Sequence, residues 1–524
     1  MAIGTPGSYT LFVDWDNDGD FDLAIEDVSA YLRFPLEWRR GRSGSSGLLD
    51  LVTAGKLRAV LSNTDDRFSQ FNASSAIVSG GGTIRDGLKV QLRGGTGGGF
   101  PYTFPFVFPD SVLWTGRITR ITALPKVKGL NRVVLEAAGP MADISERRIR
   151  LASQTSKRTD QLVTAILDGA GFSATDRDIK TGITTIARWR GGVNEVKALA
   201  AIRDIERTEG GLLLETKDGK LRFESRHTRL AGDHQTSQVT LSDGVGATYG
   251  YIGLREDDPR RQVFSRFSCF VRSYSTQSIA TLWTHPETGA ASPLIRPGES
   301  VLLVAHYPNP SSNAAGSEVA VWTTPVATTD VRFSSSTTDS NDIIGSLGIA
   351  ASASGNAIAI TLTNNGTVDG YVTALKARGT AVHELDPVRV EEVDSAVFEG
   401  RERTFPNPPI YISTTSEARS WALSHLSVYK NLIPLLAVNL HALKSEEVFL
   451  QVFTRDISDR ITLTGTGAAG LQVNAEDFFI ESEHHIVAAV NRHTVWWGLS
   501  PASSYSGFFV VGEAVLGSSS RLTY

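Results

Sequence analysis

KLRAVLSN at residues 56–63 and NRVVLEAA at residues 131–138 alternate apolar and polar side chains at a period of two. That is the pattern of a strand with one face in a core and the other in water. The residues around them follow the same grammar. SYTLFVDW, DVSAYLRFPLEWRRG, LKVQLRG and VLWTGRITRITAL are strand-like runs separated by turn residues. About 145 residues of this pattern predict a β-barrel or sandwich at the N-terminal end.

The rest of the composition agrees with a mainly β chain. At 524 residues the chain is too long for one core and implies roughly three or four domains. Its 41% hydrophobic and 20% charged content is that of a globular protein, and 49 Gly with abundant Ser, Thr and Val favour strands and turns. The lone Cys269 excludes an intrachain disulfide, and also a Cys-rich zinc site or iron–sulfur cluster built from this chain alone. A formal net charge of −5 argues against a dedicated nucleic-acid binder, because that affinity comes mainly from Lys and Arg neutralising phosphates. It leaves room for a protein that lets DNA pass without holding it. The start, MAIGTPGSYT, lacks the basic and apolar regions of a signal peptide, and no window approaches a membrane span. Synthesis in the cytoplasm without membrane insertion is expected.

Further along, TSKRTDQLVTAILDGAG and VNEVKALAAIRDIERT carry helical apolar faces. GLLLETKDGKLRFES joins two strands at Asp218-Gly219, a strong hairpin signal. Residues 149–235 thus read as a small α+β module between an N-terminal barrel (1–148) and a sandwich-like β-domain (236–380). In 381–524, TSEARSWALSHLSVYK opens with a capping box of Thr414 and Glu417. AVNLHAL, VFLQVFTRD, DRITLTG, FFIESEHHIVAAV and RHTVWWGLS follow as five strands that, with this helix, would close a second barrel-like unit. The segment GGTGGGFPYTFPFVFPD, residues 94–110, has too many prolines for a central strand. It reads as a projecting loop, either folded back on its own barrel or presenting Phe100, Tyr102, Phe104, Phe106 and Phe108 to a partner.

These residues suggest several chemistries. LFVDWDNDGDFD, residues 11–22, matches the opening of a calcium loop, with Asp14, Asp16, Asp18 and Asp20 as candidate ligands. The twelfth position is Ile25, however, with Glu26 and Asp27 one and two residues late, and no helices flank the loop. A hairpin turn at Asn17–Gly19 with Asp20–Asp22 as its solvated return is the favoured reading. His484, His485 and His493 lack an HExxH spacing, and strand alternation sends the first two to opposite faces, one core and one surface. There is no nucleophile elbow, Walker A or dinucleotide fingerprint, and Cys269 sits in the strand-like FSRFSCFVRSY. No catalytic residue and no cofactor are expected. The basic runs EWRRGRSG (37–44) and SERRIRLAS (145–153) read as solvated loops or interface ion pairs rather than phosphate contacts.

One resemblance covers most of the chain. DVSAYLRFPLEWRRGRS, KLRAVLSNTDDRFSQFN and VLWTGRITRI resemble the N-terminal pattern of minor tail proteins of long-tailed bacteriophages. The pattern is a short strand, an R-G-R turn, a strand ending in an N-x-D-x-R-F/Y loop, and a G-R-I strand. TDQLVTAILDGAGFSATDRDIKTG and EGGLLLETKDGKLRFESR are similar to that family's helix and hairpin module. ITLTNNGTVDGYVTALKARGTAV, WALSHLSVYK, DRITLTG and FFIESEHHIVAAVNRHTVWWGLSPA are similar to its later parts. Coverage is weakest at 255–320 and 94–110. The resemblance implies a tail-tip or baseplate hub: a virion structural protein, homotrimeric, each chain supplying two tube-like β-barrels. Its implied partners are tail-tube and distal tail proteins, the tape-measure protein, and tail fibres or receptor-binding proteins. DNA would pass transiently, and the role would be non-enzymatic. The competing readings are a tail-associated cell-wall hydrolase or a carbohydrate-binding tail protein, the latter drawing on Trp283 and Trp322.

Overall fold

The computed structural model describes residues 8–42, 51–95, 111–125, 131–151, 153–189, 195–244, 247–257, 263–286, 291–307, 317–394, 402–431, 435–465, 473–489, 492–504, 508–509 and 521–522. The aromatic loop candidates Phe100 to Phe108 lie outside these residues. The chain is mainly β, as its alternating runs predict.

Six N-terminal strands, β1 (Ser8–Val13), β2 (Leu32–Gly41), β3 (Thr53–Ser62), β4 (Lys89–Gly95), β5 (Ser111–Leu124) and β6 (Arg132–Ala138), run in the order β1-β4-β5-β6-β3-β2. Alternation does its work here: Leu57, Ala59 and Leu61 turn inward with Leu11, Val13, Trp38, Trp114 and Leu135, while Lys56 and Arg58 face water.

A second set, β7 (Thr240–Ser242), β8 (Gly253–Asp257), β9 (Leu435–His441), β10 (Arg460–Gly465), β11 (Val473–Ala489) and β12 (Arg492–Pro501), runs β7-β10-β11-β12-β9-β8. The long β11 joins the two sets. It pairs β10 over its first half, Gly465 to Arg460 against Val473 to Phe479. Its second half pairs β2 in register, Leu36 with Val487 through Gly41 with Ser482. Both ends of the chain therefore lie in one 12-stranded sheet over one continuous core that takes in Leu11, Trp38, Leu135, Val438, Ile461 and Trp497. The two units expected at the chain's ends are thus two six-strand sets that share one sheet. Neither set is closed by a strand ladder among the described residues. Residues 26–28, leading into β2, reach the open edge of β1 through Val13 N to Glu26 O (3.0 Å) and Val28 N to Leu11 O (2.9 Å). Residues 249–251, leading into β8, reach β7 through Ser242 N to Tyr249 O (3.0 Å) and Tyr251 N to Ser242 O (3.3 Å).

The remaining parts are insertions into this sheet. Helices α1 (Thr159–Gly169) and α2 (Ala198–Glu209) bury Leu162, Val163, Ile166, Ile202 and Ile205 with Leu213 and Phe223 of the expected hairpin, Leu212–Glu215 against Leu221–Glu224. A larger excursion leaves at Asp257 and returns at its paired neighbour Leu435. Within it, Arg266–Val271 pairs Val388–Val393 as a ribbon. Helix α3 (Thr415–Tyr429) lies on that ribbon, packing Trp421, Ala422 and Leu426 on Phe267, Cys269 and Phe405, so it does not help to close a barrel as expected. Between the ribbon strands sits a two-sheet domain spanning Tyr274 to Glu384, with Ile295, Phe333, Ile360, Leu362, Val372 and Leu375 in its own core. Its buried Glu318 pairs with Arg188 of the α+β module.

One element differs in type. VFLQVF, read as a strand, is helix α4 (Glu446–Thr454). Ser445 Oγ caps it by accepting Val448 N–H at 3.3 Å, and Val448, Phe449, Val452 and Phe453 are buried at helical spacing. The helix carries these rings across the joint: Phe453 seats on Gly94 of β4, where an added Cβ would stand 2.1 Å from Phe453 Cε1.

Because Tyr274 and Glu384 are cross-strand partners and the domain between them has its own core, a chain in which residues 275–383 are replaced by a short Gly-Ser link should keep the main cooperative unfolding transition. Calorimetry should place it within a few degrees of the full chain; its loss would make that domain part of the main core.

Candidate functional site at the joint between the two ends

The acidic loop is built around two buried carboxylates. Asp14, at the end of β1, is 2% exposed, and its Oδ1 and Oδ2 accept the N–H groups of Asp18 (3.2 Å) and Gly19 (3.1 Å). Glu26 is fully buried and accepts from Trp15 N (3.1 Å) and Leu23 N (2.9 Å). Burial raises the pKa of both. Asn17 (φ 64°) and Gly19 (φ 104°) make the turn, but Asp20–Asp22 form no returning strand. The chain comes back to β1 only at residues 26–28, because the neighbour of β1 is the distant β4. Carboxylate oxygens of Asp14, Asp16 and Asp18, and of Asp18, Asp20 and Asp22, do lie within 4.8 Å of one another. Against a calcium shell, both Asp14 oxygens and both Glu26 oxygens already serve the loop's own backbone.

The denser polar assembly lies where β2 meets β11. Arg40 stands opposite Glu483 and donates from Nε to Glu483 Oε1 (2.8 Å), from Nη1 to the Glu215 carbonyl (2.8 Å) and from Nη2 to Asp456 Oδ1 (2.7 Å). One guanidinium thus ties together β2, β11, the module hairpin and the segment after α4. Next to it, Glu481 accepts two N–H groups of Arg229 and the Ser500 hydroxyl (2.6 Å), with Arg42 Nε 3.4 Å away. The Ser458 hydroxyl donates to Glu224 Oε2 (2.7 Å) and accepts from Arg229 Nε (3.1 Å). Gly41, between the two arginines, has φ 91°, and a Cβ there would meet Glu481 O at 2.3 Å; the R-G-R turn needs its glycine. Lys217 of the hairpin donates to the carbonyls of Phe453 (2.9 Å) and Arg455 (2.6 Å). Glu215 accepts from Gly55 N and Met141 N, both at 2.7 Å.

A chain of rings continues from this cluster into the core. Tyr9 OH lies 2.7 Å from His493 Nδ1, and His493 Nε2 lies 3.1 Å from His485 Nδ1. His485 stacks on Trp38 at 4.4 Å and points Nε2 toward Glu483 Oε2 at 3.7 Å, beyond hydrogen-bond distance. The tautomers that satisfy this chain have Tyr9 donating to His493, His493 Nε2–H donating to His485, and His485 Nε2–H facing the carboxylate. His484 faces outward instead and meets Glu37 Oε1 at 2.8 Å, so the two adjacent histidines do part to opposite faces. Burial lowers the pKa of both His485 and His493, the latter far below the usual value, and raises that of Tyr9. The rings are neutral at pH 7 and the phenol is no nucleophile. Cys269 is buried with its thiol pushed up to about 11. Trp322 is spent on the Gly355 carbonyl (3.0 Å) inside the two-sheet domain. These contacts hold one part of the chain to another.

Sequence reasoning raised interface ion pairs for EWRRGRSG without finding their partners. A local signal existed: in FFIESEHHIV, Glu481, Glu483 and His485 occupy alternate positions on the same face as Val487, so three successive inward positions are polar. Such a face demands buried partners.

The pH dependence follows. Burial alone would raise the Glu481 carboxyl, but Arg229 and Arg42 outweigh it and hold it at about 2. Burial is likewise outweighed by Arg40 at Glu483, which sits well below the carboxylate range. A folded-state value below the unfolded one gives stability that is present above the unfolded pKa and lost on acidification. The His pair should therefore begin to erode stability below about pH 6.5, and the glutamates below about 4.3. Melting temperature against pH should fall in these two stages, and Glu481→Gln should flatten the acid stage; an unchanged slope would remove Glu481 from the account. Glu483→Gln at pH 7 should cost about 3 kcal/mol, since it breaks a buried pair from one side.

No protein-family model and no curated protein sequence matches the chain. Among solved structures it is similar to the 43 kDa tail protein of prophage MuSo2 from Shewanella oneidensis, at 11% identity over 95% of this chain and 99% of that one, with a TM-score of 0.49. It is similar to a tail protein from Neisseria meningitidis MC58, at 9% identity over 95% and 98% with a TM-score of 0.49. A prophage tail protein from Listeria monocytogenes EGD-e follows at 8% identity, 94% of each chain and a TM-score of 0.39. No helix among the described residues is long and apolar enough to cross a membrane.

Proposed function

We propose that the chain is a structural hub at the tip of a long-tailed phage tail, one copy of a homotrimer that caps the tail tube, organises tail-tip assembly and opens for DNA release. The observation that carries this reading is the joint itself. Each chain offers two six-strand sets side by side in one sheet, as the sequence resemblance implies for subunits that supply two tube-like units each. Three copies would then present six such units to a tube. The hub would meet tail-tube and distal tail proteins, the tape-measure protein and tail fibres or receptor-binding proteins, in the virion, after synthesis in the host cytoplasm. Its work is mechanical, through rearrangement at interfaces between subunits, and no residue is assigned a catalytic role. A structural calcium at the Asp14 to Asp20 turn remains a minor element of this reading.

Native mass spectrometry of the purified chain, alone and with its tail neighbours, should give three copies. A monomer under all conditions contradicts the hub. Release of reducing ends or amines from purified cell wall would favour a hydrolase, and retention on it without release a carbohydrate-binding role.

A further inference from the structure

The outer face of the joined sheet carries one row of like charge. Across the ladder, Arg39 of β2 pairs with Lys56 of β3, Lys56 with Ala138 of β6, Ala138 with Arg117 of β5, and Arg117 with Lys89 of β4. Arg39, Lys56 and Arg117 are exposed and Lys89 is half-buried. Their neighbours Trp38, Leu57, Ile118 and Val90 fill the core, which fixes the cations on the opposite face. On the far side of Arg39 the row continues to His484 of β11. The adjacent row, Glu37, Arg58, Glu136 and Arg120, is balanced, so it adds no net charge beside the line.

The acidic loop stands at one end of this line. Lys89 Nζ donates to the Gly19 carbonyl at 2.8 Å, and Asp16, Asp18, Asp20 and Asp22 are exposed and form no ion pair among the described residues. Four strand spacings, about 19 Å, separate Lys89 from Arg39. Within one chain the loop therefore cannot cover the Arg39 and Lys56 end. We propose that the line Arg39–Lys56–Arg117 receives the Asp16–Asp22 loop of a second copy of this chain. The three exposed cations of the line and the four exposed carboxylates of the loop are opposite in sign. The surfaces differ on the two partners, so the contact is heterologous and propagates into a ring or a filament. A nucleic-acid backbone fits less well, because Glu37, Glu136 and the loop flank the line with negative charge.

The inference rests on the hub reading only for the number of copies. Exposed ion pairs contribute chiefly specificity and association rate and are screened by salt. The full chain should therefore self-associate more weakly in 500 mM than in 50 mM NaCl by sedimentation. Arg39→Glu with Lys56→Glu, or Asp18→Lys with Asp20→Lys, should each weaken association by roughly tenfold or more at low salt. The fourfold variant, with both signs exchanged, should recover it, and unchanged melting temperatures would separate the effect from misfolding. A wild-type trimer indifferent to all three variants overturns this contact and leaves the hub standing. A wild-type monomer removes both. Binding of a labelled DNA duplex that the Arg39/Lys56 variant abolishes, with self-association intact, would reassign the line to nucleic acid.

Discussion

Everything else in the molecule hangs on the ladder between β2 and β11, whose ion pair, Arg40 and Glu483, is separated by 443 residues of chain. Closing so long a loop costs conformational entropy before any contact returns it. The ladder is correspondingly reinforced along its inner face. Trp38, Leu36 and Val487 continue the core on one side of the joint, and the Arg40 and Arg229 networks bind the module hairpin and the segment after α4 into it. Once it forms, the α+β module and the two-sheet domain are insertions into a framework built from the chain's two ends.

The ionic half of this reinforcement is a matter of specificity as much as strength. Burying several charged groups costs solvation that Coulomb attraction only roughly repays, and apolar residues of similar volume could hold the strands together as well. What charges add here is register. A slip of one residue would turn Glu481, Glu483 and His485 to the outer face and leave Arg40 and Arg42 buried without partners. The neutral His485 and His493, held by Tyr9 and Trp38, extend the same requirement into the apolar core.

The strands of the first set, the helices of the module and the hairpin at Asp218-Gly219 were legible because each depends on residues close in sequence. The pairing of β11 with β2 was not, since alternation states that a strand has a buried face and never which strand lies beside it. The same limit explains the acidic loop: Asn-Asp-Gly signals a turn, but the neighbour of β1 is β4, so the expected hairpin return is absent. Helix α4 was hidden by its composition, because Val, Phe and Gln in VFLQVF suit a strand until Ser445 is recognised as a cap. Of the candidate site, the turn residues Asn17 and Gly19 and the opposed faces of His484 and His485 could be read locally. The joint could not, because its charges come from five distant stretches.

If the two ends form one structural unit, they must open together. Native-state hydrogen exchange reports this directly. The amides of Leu36–Gly41 and Ser482–Val487 should share one opening free energy with those of β4 and β12, close to that of global unfolding. Exchange of the β1 to β6 amides at a distinctly lower free energy, with β9 to β12 still protected, would mean two independent units in contact and would contradict the account.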